Sequence, residues 1–155
     1  MRSTRLLVAL PTPDADDALA RIADFTVFPA LAEDVRSVDV RRWDVDGGTS
    51  SWVVRFRRGV LSWTEQDVVD SAEQRIDFRQ ISGDFADFHG SWQVTPGRVL
   101  FEVTYDFGID SMAAILDPIA ERVIKRVARS VLSGLFGDVV VLEGGEALAD
   151  LGSVA

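Results

Sequence analysis

The chain has no cysteine and only one histidine, His89, among 155 residues. Disulfides, thiolate metal sites and cysteine nucleophiles are thereby excluded, and one imidazole cannot build a histidine-rich metal centre. Basic residues are scarce beside acidic ones: 16 Lys and Arg against 25 Asp and Glu give a formal net charge of −9. That balance argues against a nucleic-acid partner, whose binding rests on cations neutralising phosphates. Long hydrophobic runs are missing too. Leu6 to Leu10 is too short for a signal-peptide core and is stopped by Pro11, and nothing approaches a membrane span. The expectation is a soluble, cytoplasmic protein without metal or cofactor.

What the chain does carry is apolar mass. Hydrophobic residues make up 47% of it, enough to offset the ordering entropy of one folded domain. Arg5 to Leu10 reads as a first strand, ended by Pro11 and Pro13. Asp14 is a candidate N-cap for a helix to Ala23, in which Ala18, Leu19 and Ile22 recur at helical spacing. A second short helix is expected over Phe28 to Glu33. From Val35 onward the period changes to two, and turns at Asp46-Gly47-Gly48, Arg58-Gly59, Asp70-Ser71-Ala72, Gly83-Asp84 and Pro96-Gly97 separate six strands. Such spacing predicts an antiparallel meander.

Asp117-Pro118 has the form of an N-cap and first helical residue. Ile119, Val123, Val127, Val131 and Leu135 then outline a closing helix of about twenty residues, roughly 30 Å long, ended by Gly134 or Gly137. The architecture expected for residues 1–137 is α+β. It has a seven-stranded curved antiparallel sheet, two short helices and one long helix covering the sheet's apolar face. Residues 138–155, with the short apolar run Val139 to Leu142, are expected to form a weakly ordered tail or a partner-contacting extension. Trp52, Phe56, Trp63, Phe78, Phe88, Trp92, Phe101, Tyr105 and Phe107 share the inferred inner face. They either fill a core or line a ligand cavity; periodicity does not separate the two.

Three stretches carry a resemblance. They are Ala20 to Leu31 (ARIADFTVFPAL), Gly83 to Trp92 (GDFADFHGSW) and the closing LDPIAERVIKRVARSVLSGL. Their order resembles the START-like (SRPBCC) superfamily, within it the polyketide cyclase/aromatase and coenzyme Q-binding carrier branch, over nearly all of residues 4–136. The resemblance implies a helix-grip fold whose sheet and long helix enclose a large apolar molecule, a polyketide or a lipid or quinone. For the polyketide branch, mostly actinobacterial, it implies cofactor-independent aldol ring closure and dehydration of a poly-β-ketone. The wall expected for such a pocket comprises Phe28, Trp52, Phe56, Trp63, Phe78, Phe85, Phe88, Trp92, Phe107, Met112 and Leu116.

Four residues are candidates for chemistry. Tyr105, the only tyrosine, lies in phase with Phe101, Val103 and Phe107 and is a hydrogen-bond donor for a developing enolate, or else a core tyrosine bonded to a backbone carbonyl. Glu65 and Asp67 share the inward phase of Trp63 and could act as base or water-orienting groups, or lie solvated at a strand end. Aligned on Trp63, Asp67 stands where the best-known ring-forming members carry an arginine, and Val35 where they carry a tyrosine. Arg79 is the fourth candidate; alternation turns it outward, whereas a slip or bulge would bring it in. His89, opposite in phase to Phe88, reads as a surface or edge residue. Arg122, Lys125, Arg126 and Arg129 form a basic stripe, either a solvated face or a dock for an acidic acyl carrier protein or an anionic surface.

Overall fold

Alternation along the chain and short turns between apolar runs produce one continuous sheet. The computed structural model describes residues 1–146 and Leu148. Among the described residues the strands are β1 (Arg2–Ala9), β2 (Val35–Asp44), β3 (Gly47–Phe56), β4 (Gly59–Asp70), β5 (Arg75–Gly83), β6 (Asp87–Thr95), β7 (Arg98–Asp106) and β8 (Val140–Glu143). They form a single 8-stranded sheet in the order β2-β3-β4-β5-β6-β7-β1-β8, and every pairing is antiparallel. Helices α1 (Ala15–Ala23) and α2 (Phe28–Leu31), joined by a 3-10 turn at Phe25–Val27, connect β1 to β2, and α3 (Asp110–Phe136) follows β7. The carboxylate of Asp14 caps α1, accepting from the Asp17 amide at 3.0 Å.

Two elements differ from the expectation. The long helix does not begin at Asp117-Pro118 but at Asp110, and runs for 27 residues with Pro118 inside it. Pro118 has no N–H to give the Ala114 carbonyl and its ring crowds that carbonyl, yet the helix continues through the site. The sheet also has eight strands rather than seven. Val140–Glu143, in the stretch read as a tail, pairs with β1 along its free edge. The remainder of that stretch, residue 147 and residues 149–155, lies outside the described residues.

The docked eighth strand explains Lys125, the only lysine of the chain. Its side chain is buried, with Nζ 2.9 Å from Glu121 Oε2 and donating to the Gly144 carbonyl at 2.7 Å. Arg126 is bound bidentately to Asp34 at 2.5 and 3.1 Å. The supposed stripe of four free cations is therefore not one: Lys125 is buried and Arg126 is paired with Asp34, leaving Arg122 and Arg129.

Candidate functional site

The inner face of β3 presents Ser50, Trp52 and Val54, and that of β4 presents Trp63, Glu65 and Asp67, because alternate residues of a strand share a face. Trp52 and Trp63 are directly paired across the ladder, their indole planes 3° apart and centroids 6.0 Å apart. Gly83, opposite Trp63, has no side chain because a Cβ there would strike Trp63 Cβ. Gly90 likewise leaves room for the Phe78 ring, which a Cβ would meet at 2.7 Å.

Each indole N–H serves the polar residue two positions away. Trp63 Nε1 donates to Glu65 Oε1 at 2.7 Å, and Trp52 Nε1 donates to Ser50 Oγ at 2.8 Å. The Ser50 hydroxyl in turn donates to Asp67 Oδ2 at 2.6 Å. Glu65 and Asp67 are only 3% and 2% exposed, and none of the ion pairs among the described residues includes either. Burial, reinforced by the neighbouring Asp67, pushes the Glu65 carboxyl well above the usual carboxylate range despite the Trp63 N–H. Burial also raises Asp67, against the opposing hydrogen bonds from Glu65 and Ser50. Burial of two neighbouring carboxyls therefore favours the form in which they share a proton.

Glu65 reaches a cavity of about 70 Å³ between sheet and helices. Around it stand Phe25 and Phe28 from the α1–β2 connection, Trp52, Val54, Trp63, Phe78, Phe88, Trp92 and Phe101 from the sheet, and Val123, Ile124 and Val127 from α3. Glu65 is the only ionisable side chain in that wall. Ligand pockets begin at ~300 Å³ and a cavity that holds benzene measures ~150 Å³, so even a single ring enters only as the wall moves.

Six of the expected pocket residues line the cavity: Phe28, Trp52, Trp63, Phe78, Phe88 and Trp92. Phe56, Phe85 and Phe107 do not; they form an adjoining aromatic cluster, with Phe85 4.7 Å from Phe88 and 5.1 Å from Phe107 between centroids. Met112 and Leu116 lie on the N-terminal turns of α3, away from the lining, because the helix starts earlier than expected.

Tyr105 is likewise outside the lining. It is fully buried, and its hydroxyl donates to the Asp117 carbonyl at 2.6 Å, with burial pushing its pKa up. Arg79 points outward, two-thirds exposed, 3.9 Å from Asp87. The bulge in the β4–β5 pairing falls at Ile81, past Arg79, and so does not turn it inward. His89 shares that outer face, its Nδ1 3.1 Å from Asp87.

Sequence reasoning missed Ser50, Phe25 and the α3 residues at the cavity. Alternation with Trp52 could have found Ser50; Phe25 sits in a turn without a period to read.

A model of the family described as polyketide cyclase / dehydrase and lipid transport matches residues 14–132. No curated protein matches the sequence. Among solved structures, protein TTHA0849 from Thermus thermophilus is similar at 22% identity and TM-score 0.76, over 96% of this chain and 99% of its own. The Zhui aromatase/cyclase from Streptomyces sp. R1128 is similar at 17% identity and TM-score 0.69, over 97% and 95%. A START superfamily protein from Mycobacterium smegmatis matches at 14% identity and TM-score 0.65, over 86% and 95%. The fold is the START-like helix grip.

Proposed function

The chain belongs to the polyketide cyclase / dehydrase and lipid transport family, and on that premise we propose that it is a cyclase and dehydrase of poly-β-ketones working without a cofactor. The observation that carries this reading is Glu65, the one ionisable group facing an aromatic cavity, backed by Asp67 with no cation beside them. A buried pair holding one proton already bears one negative charge, so gaining a proton costs it less than losing one. The pair therefore acts first as a base, Glu65 passing the shared hydrogen to Asp67 as it takes the substrate's.

Glu65 takes a proton from the methylene between two ketones, a carbon whose enolate is delocalised over both carbonyls. The enolate carbon bonds to a second ketone carbon, and the alkoxide formed there regains the proton from Glu65. For dehydration, Glu65 removes a further α-proton and returns it to the departing hydroxyl, so that water leaves and the pair recovers its original charge. General acid–base work of this kind is worth about 10²–10⁴ in rate, and holding the chain folded supplies a further share.

The test is a synthetic thioester bearing β- and δ-ketones, with products read by chromatography and mass spectrometry. Glu65→Gln is expected to lower ring closure about 100-fold or more. Wild-type turnover in Glu65→Gln would remove the residue from the reaction. A second reading, a carrier of a quinone or lipid, draws support from the otherwise wholly apolar lining. Tight binding with no product from the wild-type protein favours that reading.

A further inference from the structure

Glu65 and Asp67 differ in their surroundings. Asp67 lies behind the cavity wall; its Oδ2 accepts from Ser50, and its Oδ1 is buried with no hydrogen-bond partner. Glu65 stands in the wall and accepts one N–H, from Trp63. Among the described residues no N–H or O–H donor reaches that oxygen and no cation pairs with either acid, so a hydrogen carried by the neighbouring Glu65 carboxyl is the one that would satisfy it. With its acidic hydrogen turned toward Asp67, Glu65 offers the cavity lone pairs. The wall is then a hydrogen-bond acceptor with one negative charge, ringed by Trp and Phe. Resting on the reading that ligands meet Glu65, we propose that the Glu65–Asp67 pair selects ring compounds carrying a hydroxyl donor, phenols and enols, and rejects carboxylates.

Three features of the cavity support this class. A void of about 70 Å³ is smaller than the ~150 Å³ that holds benzene, so the wall has less to give for one ring than for a chain. A planar ring finds the Trp52 and Trp63 faces already parallel. A carboxylate, by contrast, would bring a second charge into a site without a cation, a cost no hydrogen bond there offsets. Ser50 and Trp52 act as positioning residues: their relay holds the charge on Asp67 and so keeps the shared hydrogen on Glu65.

The experiment compares p-cresol, toluene, anisole and benzoate on the full chain at neutral pH. Calorimetry gives the affinities, and the indole N–H signals of Trp52 and Trp63 report occupancy by NMR. p-Cresol is expected to bind about tenfold more tightly than toluene or anisole, and benzoate to bind more weakly than any of them. Glu65→Gln and Ser50→Ala are expected to reduce the cresol-over-toluene preference while toluene affinity is kept, with Ser50→Thr restoring it. Equal affinity for p-cresol, anisole and toluene, or a preference for benzoate, overturns the proposal but leaves the cyclase reading to its own product assay. No binding of any of the four likewise overturns the proposal, and the diketone thioester assay decides the cyclase reading separately.

Discussion

Ser50 has no acid–base chemistry within the useful range, yet its hydroxyl links an indole to a buried carboxyl. Its importance follows from register: Ser50 lies opposite Glu65 on β4, so one layer of the sheet holds both. The inward phase of Glu65 and Asp67 is legible from Trp63, because period two fixes which side chains share a face. The hydrogen bond from Ser50 to Asp67 is not legible, since it depends on strands the sequence does not align. Tyr105 illustrates the converse. Its inward phase is as plain as that of Glu65, but α3 passes over it and offers the Asp117 carbonyl, so the hydroxyl is used in structure. Tyr105→Phe is therefore expected to cost about 0.5–1.5 kcal/mol in urea unfolding, the worth of one hydrogen bond, and to leave ring closure within twofold. A large loss of turnover with unchanged stability would return Tyr105 to the chemistry.

Helix α3 forms one side of the cavity, and its beginning is obscured in the sequence by Asp117-Pro118, a pair with the form of a helix start. The preceding turns carry few core contacts, with Ile115 53% exposed, so no apolar period announces them. Strand β8 is hidden for a similar reason: four residues give too little alternation to distinguish from a tail. The middle of α3 determines what the cavity can hold. Val123, Ile124 and Val127 face the aromatic wall, and Arg126 ties this stretch to Asp34 after α2. Ile124→Ala removes three carbons from the lining of a half-buried position. It is expected to cost about 1–2 kcal/mol, below the range for fully enclosed isoleucine. In exchange, affinity for a two-ring ligand such as 2-naphthol should rise several-fold relative to p-cresol. Calorimetry on both ligands checks this, and an unchanged ratio would mean that Ile124 does not limit the space.

The placement of two acids in the core of an already acidic chain has a consequence for the protein's stability as pH changes. Glu65 and Asp67 both titrate higher when folded than when unfolded, so the folded state binds more protons above the ordinary carboxyl range of about 4. Stability from these groups is full below that range and is lost as pH rises through the folded values. Glu121 has the opposite sign. Burial alone would raise it, but Arg2 and Lys125 hold it lower, so its contribution is lost as pH falls below the ordinary range. The two effects together place the stability maximum on the mildly acidic side, with a decline toward pH 8. The slope from one retained proton is at most about 1.4 kcal/mol per pH unit. General self-repulsion of a chain with net charge −9 acts in the same direction, but it is screened by salt, whereas a buried pair is screened much less. Urea unfolding from pH 5 to pH 8 in 0.5 M salt separates them: the wild-type decline is expected to persist, and Glu65→Gln to flatten it. An equally steep decline in Glu65→Gln would mean that the carboxyl at 65 is not held protonated in the folded protein, and the acid pair on which the proposed chemistry depends would not exist.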